Sequence, residues 1–377
     1  MSKAPAPKPA RRAPASQTQR IAYLVLGMHR SGTSAVTQLL ALAGASLPAN
    51  VMPGDEHNAK GYFEPWKIAI FDDERLRAAG SAWDDPFAFP FRPLPPDEER
   101  GWIDRALAMF DEEFGRATWP LMKDPRATVL LPFWRAVLAE RGVTMRCVIP
   151  VRHPLAVAGS LARRDGFPPE KSVLVWSAYM LAAEAYTRDL PRAFVGYDAL
   201  LSDWRGEVAR IEAAHGAPLP GLTPAKAREI DGFLTADLRH NAGEDGLSKL
   251  GWAGEIAGSV YDWFATRAAG KSPSDKALQI AADKLAARQA EIGMLVSPAA
   301  RDLAAARAEL ARTRDELTAS ETFRAELQAE MAKQRRYLED GWRADLARLA
   351  KAQEELTWNQ AVLEQVEIAV NEALTGG

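Results

Sequence analysis

Apolar runs and amphipathic stretches alternate along the first two thirds of the chain. Residues 21–26 and 145–151 are short, largely apolar runs, which are typical of parallel strands covered on both faces. Residues 36–43 and 127–141 carry apolar side chains at helical spacing, so helices are expected there. This alternation predicts an α/β fold in which a parallel sheet is flanked by helices. Pro150, near the end of the second run, lacks a backbone donor, so we expect a bulge or an early end to strand pairing there.

The pattern changes at residue 272. Residues 272–275 fit a capping box with proline at the first helical position. Between residues 299 and 374 there is no proline, and apolar side chains recur every seven positions in two sets whose offset indicates a stutter. The two sets are Leu303, Leu310 and Leu317, followed by Trp342, Leu349, Leu356, Leu363 and Val370. We expect a long helix or a helical hairpin of coiled-coil character, used for self-association or for docking to a partner. A solvated helix folded back on the rest of the chain is the alternative.

Three parts are therefore predicted. Residues 1–20 form a basic tail rich in alanine and proline, which we expect to be disordered. Weak attraction of this tail to an anionic lipid or polymer is a second possible role for it. Residues 21–271 form the α/β domain, and residues 272–377 form the helical extension. No stretch has the pattern of a signal peptide or of a transmembrane segment, so a cytoplasmic location is expected.

Composition excludes several classes of function. The chain of 377 residues has a formal net charge of −3, so no basic excess indicates nucleic-acid binding. Its single cysteine, Cys147, lies in a predicted strand and is expected to be a small core residue. The five histidines lack the spacing of metal ligands, so no metal site is predicted.

A glycine loop joins the first predicted strand to the first predicted helix. Backbone N–H groups at a helix start lack intrahelical partners, and the helix dipole favours an anion there, so we expect a phosphate or sulfate. The loop fits the phosphate-loop spacing, except that Thr33 stands where that pattern has lysine, which argues against ordinary ATP or GTP chemistry. Arg30 supplies a cation three residues earlier. A glycine turn with an incidental arginine is the alternative. The residues expected to bind the anion are Gly27, His29, Arg30, Ser31, Gly32, Thr33 and Ser34.

The order Arg-Ser-Gly-Thr resembles the 5′-phosphosulfate loop of sulfotransferases that use 3′-phosphoadenosine 5′-phosphosulfate (PAPS). A second site supports this resemblance. Arg152, at the end of the second strand, and Ser160, on the following helix, are similar to the 3′-phosphate motif of that family. A guanidinium fork and a hydroxyl are suitable donors to a phosphate. Taken alone, Arg152 would be a surface or helix-capping arginine, and Ser160 a small residue packed on the sheet.

The segment 60–65 resembles one that supplies an acid to the active site of bacterial sulfotransferase-like proteins. Transfer to a hydroxyl needs a base to accept its proton, and Glu64 is the candidate. The alternative is a glutamate that interacts with the dipole of the next helix. Asp72 and Asp73 are further candidates, although adjacent residues on a helix point in different directions.

Residues 123–126, Lys-Asp-Pro-Arg, follow a short predicted strand and resemble a tetrapeptide at the nucleotide site of bacterial sulfotransferases. In that role Lys123 would neutralise charge on the bridging oxygen. Alternatively, Lys123 and Arg126 form ion pairs with Asp124.

Residues 83–96 are dense in aromatic residues and prolines, including Trp83, Phe87, Phe89 and Phe91. They form either part of an acceptor pocket or a rigid loop that fills the core.

The resemblance implies sulfuryl transfer from PAPS to a hydroxyl or amine, with a carbohydrate or small metabolite as acceptor and without a metal. Two other hypotheses remain. One is a phosphate-loop kinase that uses ATP and magnesium, and the other is a non-catalytic scaffold that acts through the C-terminal helices.

Overall fold

The computed structural model describes residues 19–54, 61–89, 92–234 and 246–375. Residues 1–18 of the basic tail, together with His57, Lys60, Phe91 and His240, therefore lie outside the described residues, whereas Arg20, expected to end the tail, begins the first strand. The chain divides into two compact units, Met1–Arg301 and Asp302–Gly377. The division into domains at residue 271 stays a prediction.

A parallel sheet forms the centre of the first unit, as predicted. Its strands are β1 (Arg20–Val25), β2 (Leu121–Met122), β3 (Val143–Val151) and β4 (Arg192–Gly196). They pair in the order β2-β1-β3-β4, so β1 and β3 are central neighbours. Because both strands run in the same direction, the loops that follow them emerge at the same edge of the sheet.

Helices cover the sheet and confirm the α/β fold. They are α1 (Thr33–Leu42), α2 (Trp66–Ala78), α3 (Pro96–Phe114), α4 (Arg126–Val129), α5 (Leu131–Glu140), α6 (Pro154–Asp165), α7 (Pro169–Tyr186), α8 (Tyr197–Ser202), α9 (Trp204–His215), α10 (Pro224–Phe233), α11 (Gly251–Ala268) and α12 (Asp275–Thr375).

Two apolar cores lie on the two faces of the sheet. Along β1, Ala22 and Leu24 belong to one core, whereas Tyr23 and Val25 belong to the other, as the alternation of side chains along a strand requires. Cys147 on β3 is fully buried in the first of these cores, as expected. Burial on both faces explains why the strands are almost continuously apolar.

The bulge expected at Pro150 is absent, because β3 pairs with β4 through Val151, whereas the pairing of β3 with β1 does end early, at Val148. The backbone of Val148 faces β1, since its carbonyl accepts from Leu26 N–H at 3.0 Å. Pro150, two residues further on, faces the same side, where β1 has already ended at Val25. Its missing N–H therefore removes no ladder hydrogen bond.

The second unit is the later part of α12, and the long helix predicted for the C-terminal region is confirmed. It is one helix rather than a hairpin, and its heptad side chains from Leu310 to Val370 are exposed: Trp342 is 75% and Leu349 66% accessible. Within the described ranges, no helix has the length and apolar character needed to cross a membrane.

Candidate active site

The loop between β1 and α1 adopts the conformation that an anion site requires. Its left-handed residues are Gly27 (φ 131°), Arg30 (φ 67°) and Gly32 (φ 91°). Gly32 is the N-cap of α1, and no side chain of the described chain caps this helix. The first N–H groups of a helix have no partner within the helix, so this helix start is a place where an anion can accept backbone hydrogen bonds. A positive φ is rare for a residue with a Cβ, and Arg30 adopts one here.

Thr128 and Tyr197 hold this loop in place, although the sequence pattern assigns neither of them a role. Thr128 on α4 is fully buried, and its Oγ1 accepts from Gly27 N–H at 2.8 Å. The ring of Tyr197, the first residue of α8, packs against Gly32, where a Cβ would lie 2.8 Å or less from two ring carbons. Glycine is thus required at position 32 both by the backbone angle and by the contact with this ring.

The structure brings together Arg30 of the glycine loop and the pair Arg152 and Ser160, which the sequence analysis assigned to two separate phosphate sites. Arg30 Nε donates to Ser160 Oγ at 2.7 Å. Arg152 donates from Nη1 to the backbone oxygen of Arg30 at 2.9 Å, and its guanidinium lies 4.4 Å from the centre of the Tyr197 ring. Ser160 projects from α6, which follows β3, whereas Arg30 follows β1. The two loops at this edge of the sheet therefore form one cluster.

This cluster is strongly cationic. Burial is the main reason that the pKa values of both Arg30 and Arg152 are lowered. The charge of Arg164 lowers the pKa of Arg30 further, and Arg163 acts in the same direction on both guanidinium groups. Crowded and partly desolvated cations of this kind create a positive potential, which an anion relieves.

Glu64 and Lys123 form a buried ion pair with each other. Lys123 Nζ donates to Glu64 Oε1, and it also donates to the backbone oxygen of Tyr62 at 2.9 Å. The side chain of Lys123 is 2% exposed and that of Glu64 is 5% exposed. Lys123 thus pairs with Glu64, whereas the alternative considered from the sequence paired it with Asp124. Glu64 precedes α2, whose N-cap is Pro65, so its carboxylate is not the cap of that helix.

Arg126 extends this ion pair into a network. Its Nη1 lies 3.0 Å from Asp124 Oδ1 and 3.9 Å from Glu64 Oε2, while its Nε donates to Asp73 at 2.7 Å. Asp72 accepts from Trp134 Nε1 at 3.0 Å, and its carboxyl group also interacts with that of Asp124. Both alternative bases are therefore occupied by contacts within the protein.

Tyr62 connects this network to the glycine loop between β1 and α1. Its backbone oxygen accepts from Ser34 Oγ at 3.4 Å and from Lys123 Nζ at 2.9 Å. Ser34 lies in the first turn of α1, so Lys123 and Glu64 sit beside the helix start at which an anion would bind. The next residue, Phe63, has φ 58°. Strained backbone therefore occurs on both sides of this candidate site.

Two buried polar side chains of the loop lack hydrogen-bond partners among the described residues. They are Ser31, through Oγ, and His29, through Nε2. Burial, followed by the charges of Arg126 and Arg164, holds the pKa of His29 well below 6.5, so its imidazole is neutral at pH 7. Leaving buried polar atoms unsatisfied is unfavourable by about 1–3 kcal/mol each, and a bound ligand would remove that penalty.

The aromatic segment after residue 82 also reaches this loop. The indole of Trp83 packs edge-on against the His29 ring, with the ring centres 4.9 Å apart, and stacks on Phe167 at 5.7 Å. Phe89 is buried in the core. The segment therefore fills the core and also contacts the candidate site. Across the described ranges, no group of three or more histidine, cysteine or acidic side chains could hold a metal ion.

Comparisons with known proteins show a distant likeness to a solved structure. No family model matches the chain, and no curated protein matches it. Among solved structures, the sulfotransferase domain of the olefin synthase from Synechococcus PCC 7002 aligns with 68% of this chain and 98% of its own length. The identity is 18% and the TM-score 0.38. A likeness this distant carries no information about function.

Proposed function

We propose that the chain transfers a sulfuryl group from PAPS to a hydroxyl or amine of an acceptor, which is a carbohydrate or a small metabolite. The observation that carries this proposal is the contact of Arg30 with Ser160 and Arg152 beside the helix start that no described side chain caps. One cluster of cations and donors suits a nucleotide with phosphate groups at both ends. A cytoplasmic location belongs to the same proposal.

In this mechanism the loop positions the donor. Gly27, Gly32 and the N–H groups of residues 31–34 hold the 5′-phosphate and the sulfuryl group, together with His29 and Arg30. Arg152 and Ser160 hold the 3′-phosphate. Catalysis then rests on positioning and on stabilising the charge of the leaving group, as in phosphoryl transfer.

The transfer itself needs no oxidant or reductant. The bond from sulfur to the bridging phosphate oxygen breaks as sulfur bonds to the acceptor oxygen or nitrogen. Glu64 accepts the proton of the acceptor, and the nucleotide leaves as adenosine 3′,5′-bisphosphate. Lys123 stabilises the negative charge that develops on the bridging oxygen. Since these two residues share an ion pair, the base and the cation are positioned together.

The kinase hypothesis is weaker. A phosphate-loop kinase uses a lysine at the position of Thr33 to reach the terminal phosphates. The cation in this loop is Arg30, and its Nε is directed at Ser160 on the neighbouring loop. This arrangement fits a second phosphate beside the loop better than a chain of three phosphates.

Calorimetric titration tests the proposal. We expect adenosine 3′,5′-bisphosphate to bind more tightly than adenosine 5′-phosphate or ATP with magnesium. Arg30→Ala and Arg152→Ala should each weaken binding by about 1.5–3 kcal/mol, the usual contribution of a charged hydrogen bond. Arg116→Ala is the matched control, because Arg116 is exposed beside the start of β1, at the other end of the sheet. Preference for ATP with magnesium, or no binding of the bisphosphate, would contradict the proposal.

We also propose that the second unit associates with a second copy of itself. The heptad residues from Leu310 to Val370 are exposed. Pairing with the same face of a second helix would bury them. Ion pairs such as Arg335–Glu339 and Asp345–Arg348 lie within the helix, so its surface carries both signs of charge and would not repel a copy. Sedimentation equilibrium should show a dimer that Leu349→Ser with Leu356→Ser dissociates. Lys351→Ser, outside the heptad set, should leave it intact, and a monomeric wild type would refute the proposal.

A further inference from the structure

A cavity of about 290 Å³ lies in the first unit beside the aromatic segment. Its walls come from residues 82–87, from Lys171 and Leu174 on α7, and from Val296 on α12. Most of these side chains are apolar. The volume is near the lower end for pockets that hold small molecules, which run from roughly 300 to 1,000 Å³.

The two acidic residues in its wall differ in one important respect. Asp84 is paired, since its Oδ2 accepts from Lys171 Nζ at 2.6 Å. Asp85 is buried, and its Oδ1 accepts from Phe87 N–H at 3.0 Å. The second oxygen of Asp85, Oδ2, has no hydrogen-bond partner in the part of the chain that the structure describes. The cavity thus has a buried acceptor that a ligand with an O–H or N–H group could satisfy.

The wall that carries Asp85 is held on both sides. Tyr179 on α7 donates through its hydroxyl to Trp83 O at 3.0 Å, and Gln289 on α12 donates to Pro86 O at 2.8 Å. At Gly293 a Cβ would lie 3.0 Å from Phe87 O, so α12 approaches this segment very closely. A cavity with fixed walls loses little conformational freedom when it binds a ligand.

The same wall contacts the candidate active site. Ala82 and Asp84, which line the cavity, flank Trp83 in sequence, and Trp83 packs against His29 on the phosphate loop. The guanidinium of Arg164 lies 5.5 Å from the centre of the Trp83 ring, and its charge also lowers the pKa of Arg30. A molecule in the cavity would therefore lie next to Trp83, which contacts the loop between β1 and α1.

We propose that this cavity binds the acceptor, and that the acceptor is a small, largely apolar molecule with two polar groups: an amine or hydroxyl that donates to Asp85 Oδ2, and a second hydroxyl or amine that receives the sulfuryl group and gives its proton to Glu64. This inference rests on the proposed function and narrows it. A sugar would bring several hydroxyl groups against Phe87, Leu174 and Val296, where they would lose hydrogen bonds to water. An amphiphilic metabolite matches both the apolar wall and its single unsatisfied oxygen.

The first test measures binding without any donor nucleotide. Hexylamine is the probe, because its ammonium group has donors only and its chain is apolar. Titration followed by NMR should show binding to the wild type, at least tenfold weaker binding to Asp85→Asn, and less than threefold weaker binding to Asp84→Asn. Each variant removes one carboxylate from the same cavity, but Asp84 is already paired with Lys171 whereas Asp85 Oδ2 has no partner among the described residues, so a ligand that donates to Oδ2 should lose more affinity in Asp85→Asn. Leu174→Phe, which fills the cavity, should abolish binding.

The second test concerns the acceptor role. Amino alcohols with four to eight carbons are supplied with PAPS, and sulfated products are measured by mass spectrometry. We expect product from at least one chain length, lost in Asp85→Asn and retained in Asp84→Asn. Equal effects of the two variants in either test, no binding of hexylamine, or no product at any length would overturn the inference. Binding of adenosine 3′,5′-bisphosphate, measured on the same proteins, shows separately whether the proposed function holds.

Discussion

Arg30 donates to Ser160 across 130 residues of sequence, with 2.7 Å between Nε and Oγ. Arg30 lies on the loop after β1, and Ser160 lies on the helix after β3. The contact exists because β1 and β3 are parallel neighbours, so that the chain leaves both strands at the same edge of the sheet. It connects the two halves of the candidate nucleotide site.

Because this contact orients Arg30, substitutions at its two ends should not be additive. Arg30→Ala and Ser160→Ala should each weaken binding of adenosine 3′,5′-bisphosphate. The double variant should lose less than the sum of the two, with a coupling free energy of about 0.5–3 kcal/mol. Calorimetry on the four proteins of the cycle measures this. Strict additivity would mean that the two side chains bind the nucleotide independently.

Gly32→Ala should destabilise the protein more than alanine at another glycine with positive φ. Gly142 is the matched control, since it has φ 63° and a Cβ there would meet nothing within 4 Å. Both substitutions strain the backbone by about 1–3 kcal/mol, but a Cβ at Gly32 also collides with the Tyr197 ring. Urea unfolding should therefore show the larger loss for Gly32→Ala.

Removing the ring provides the internal check on that explanation. In a Tyr197→Ala background, Gly32→Ala should lower the free energy of unfolding by about as much as Gly142→Ala does. If the ring makes no difference, the requirement for glycine at position 32 comes from the backbone angle alone.

The glycine loop and the elements on either side of it could be predicted because their signal is local. A buried strand, a glycine turn and an amphipathic helix follow one another within 23 residues, 21–43, and the start of such a helix is where an anion is expected to bind. The sequence singles out Arg30 and Ser160 separately but does not predict their contact, which depends on β1 and β3 being parallel neighbours in the sheet.

The supports of that loop could not be predicted in the same way. Thr128 reaches Gly27 across 101 residues, and Tyr197 reaches Gly32 through the packing of α8. Glu64 and Lys123 were each recognised from the sequence, but their contact, 59 residues apart, depends on how residues 61–65 cross the sheet edge. No spacing pattern encodes such contacts, because packing in three dimensions creates them.

The ion pair of Glu64 and Lys123 allows structural and chemical roles to be separated. Lys123→Met leaves a buried carboxylate without its main partner, and loss of one member of a buried pair destabilises by about 3–5 kcal/mol. Lys123→Met combined with Glu64→Gln removes both charges, so it should recover much of this loss in urea unfolding. Turnover of PAPS should stay absent in single and double variants. Recovery of turnover together with stability would contradict a role of these side chains in the transfer.

The pH dependence of stability tests the buried carboxyl of Asp72. Burial, followed by the charge of Asp124, raises its pKa well above 3.8. The folded protein therefore holds this proton to a higher pH than the unfolded chain does. The resulting stabilisation is complete below pH 3.8 and is lost as the pH rises through the folded-state pKa. Asp72→Asn has no proton to lose, and its side-chain oxygen can still accept from Trp134.

Asp72→Asn should thus raise the free energy of unfolding at pH 8 relative to wild type, and change it little at pH 4. Asp189→Asn is a control, because the contribution of Asp189 to the free energy of unfolding changes with pH in the opposite direction. The hydrogen bond from Arg135 lowers the pKa of Asp189 to about 2, so its contribution is present at neutral pH and is lost as the pH falls through that value. Urea unfolding from pH 3 to pH 8 measures both slopes. A wild-type slope in Asp72→Asn would show that Asp72 is ionised in the folded protein at neutral pH, with its charge balanced by Arg126.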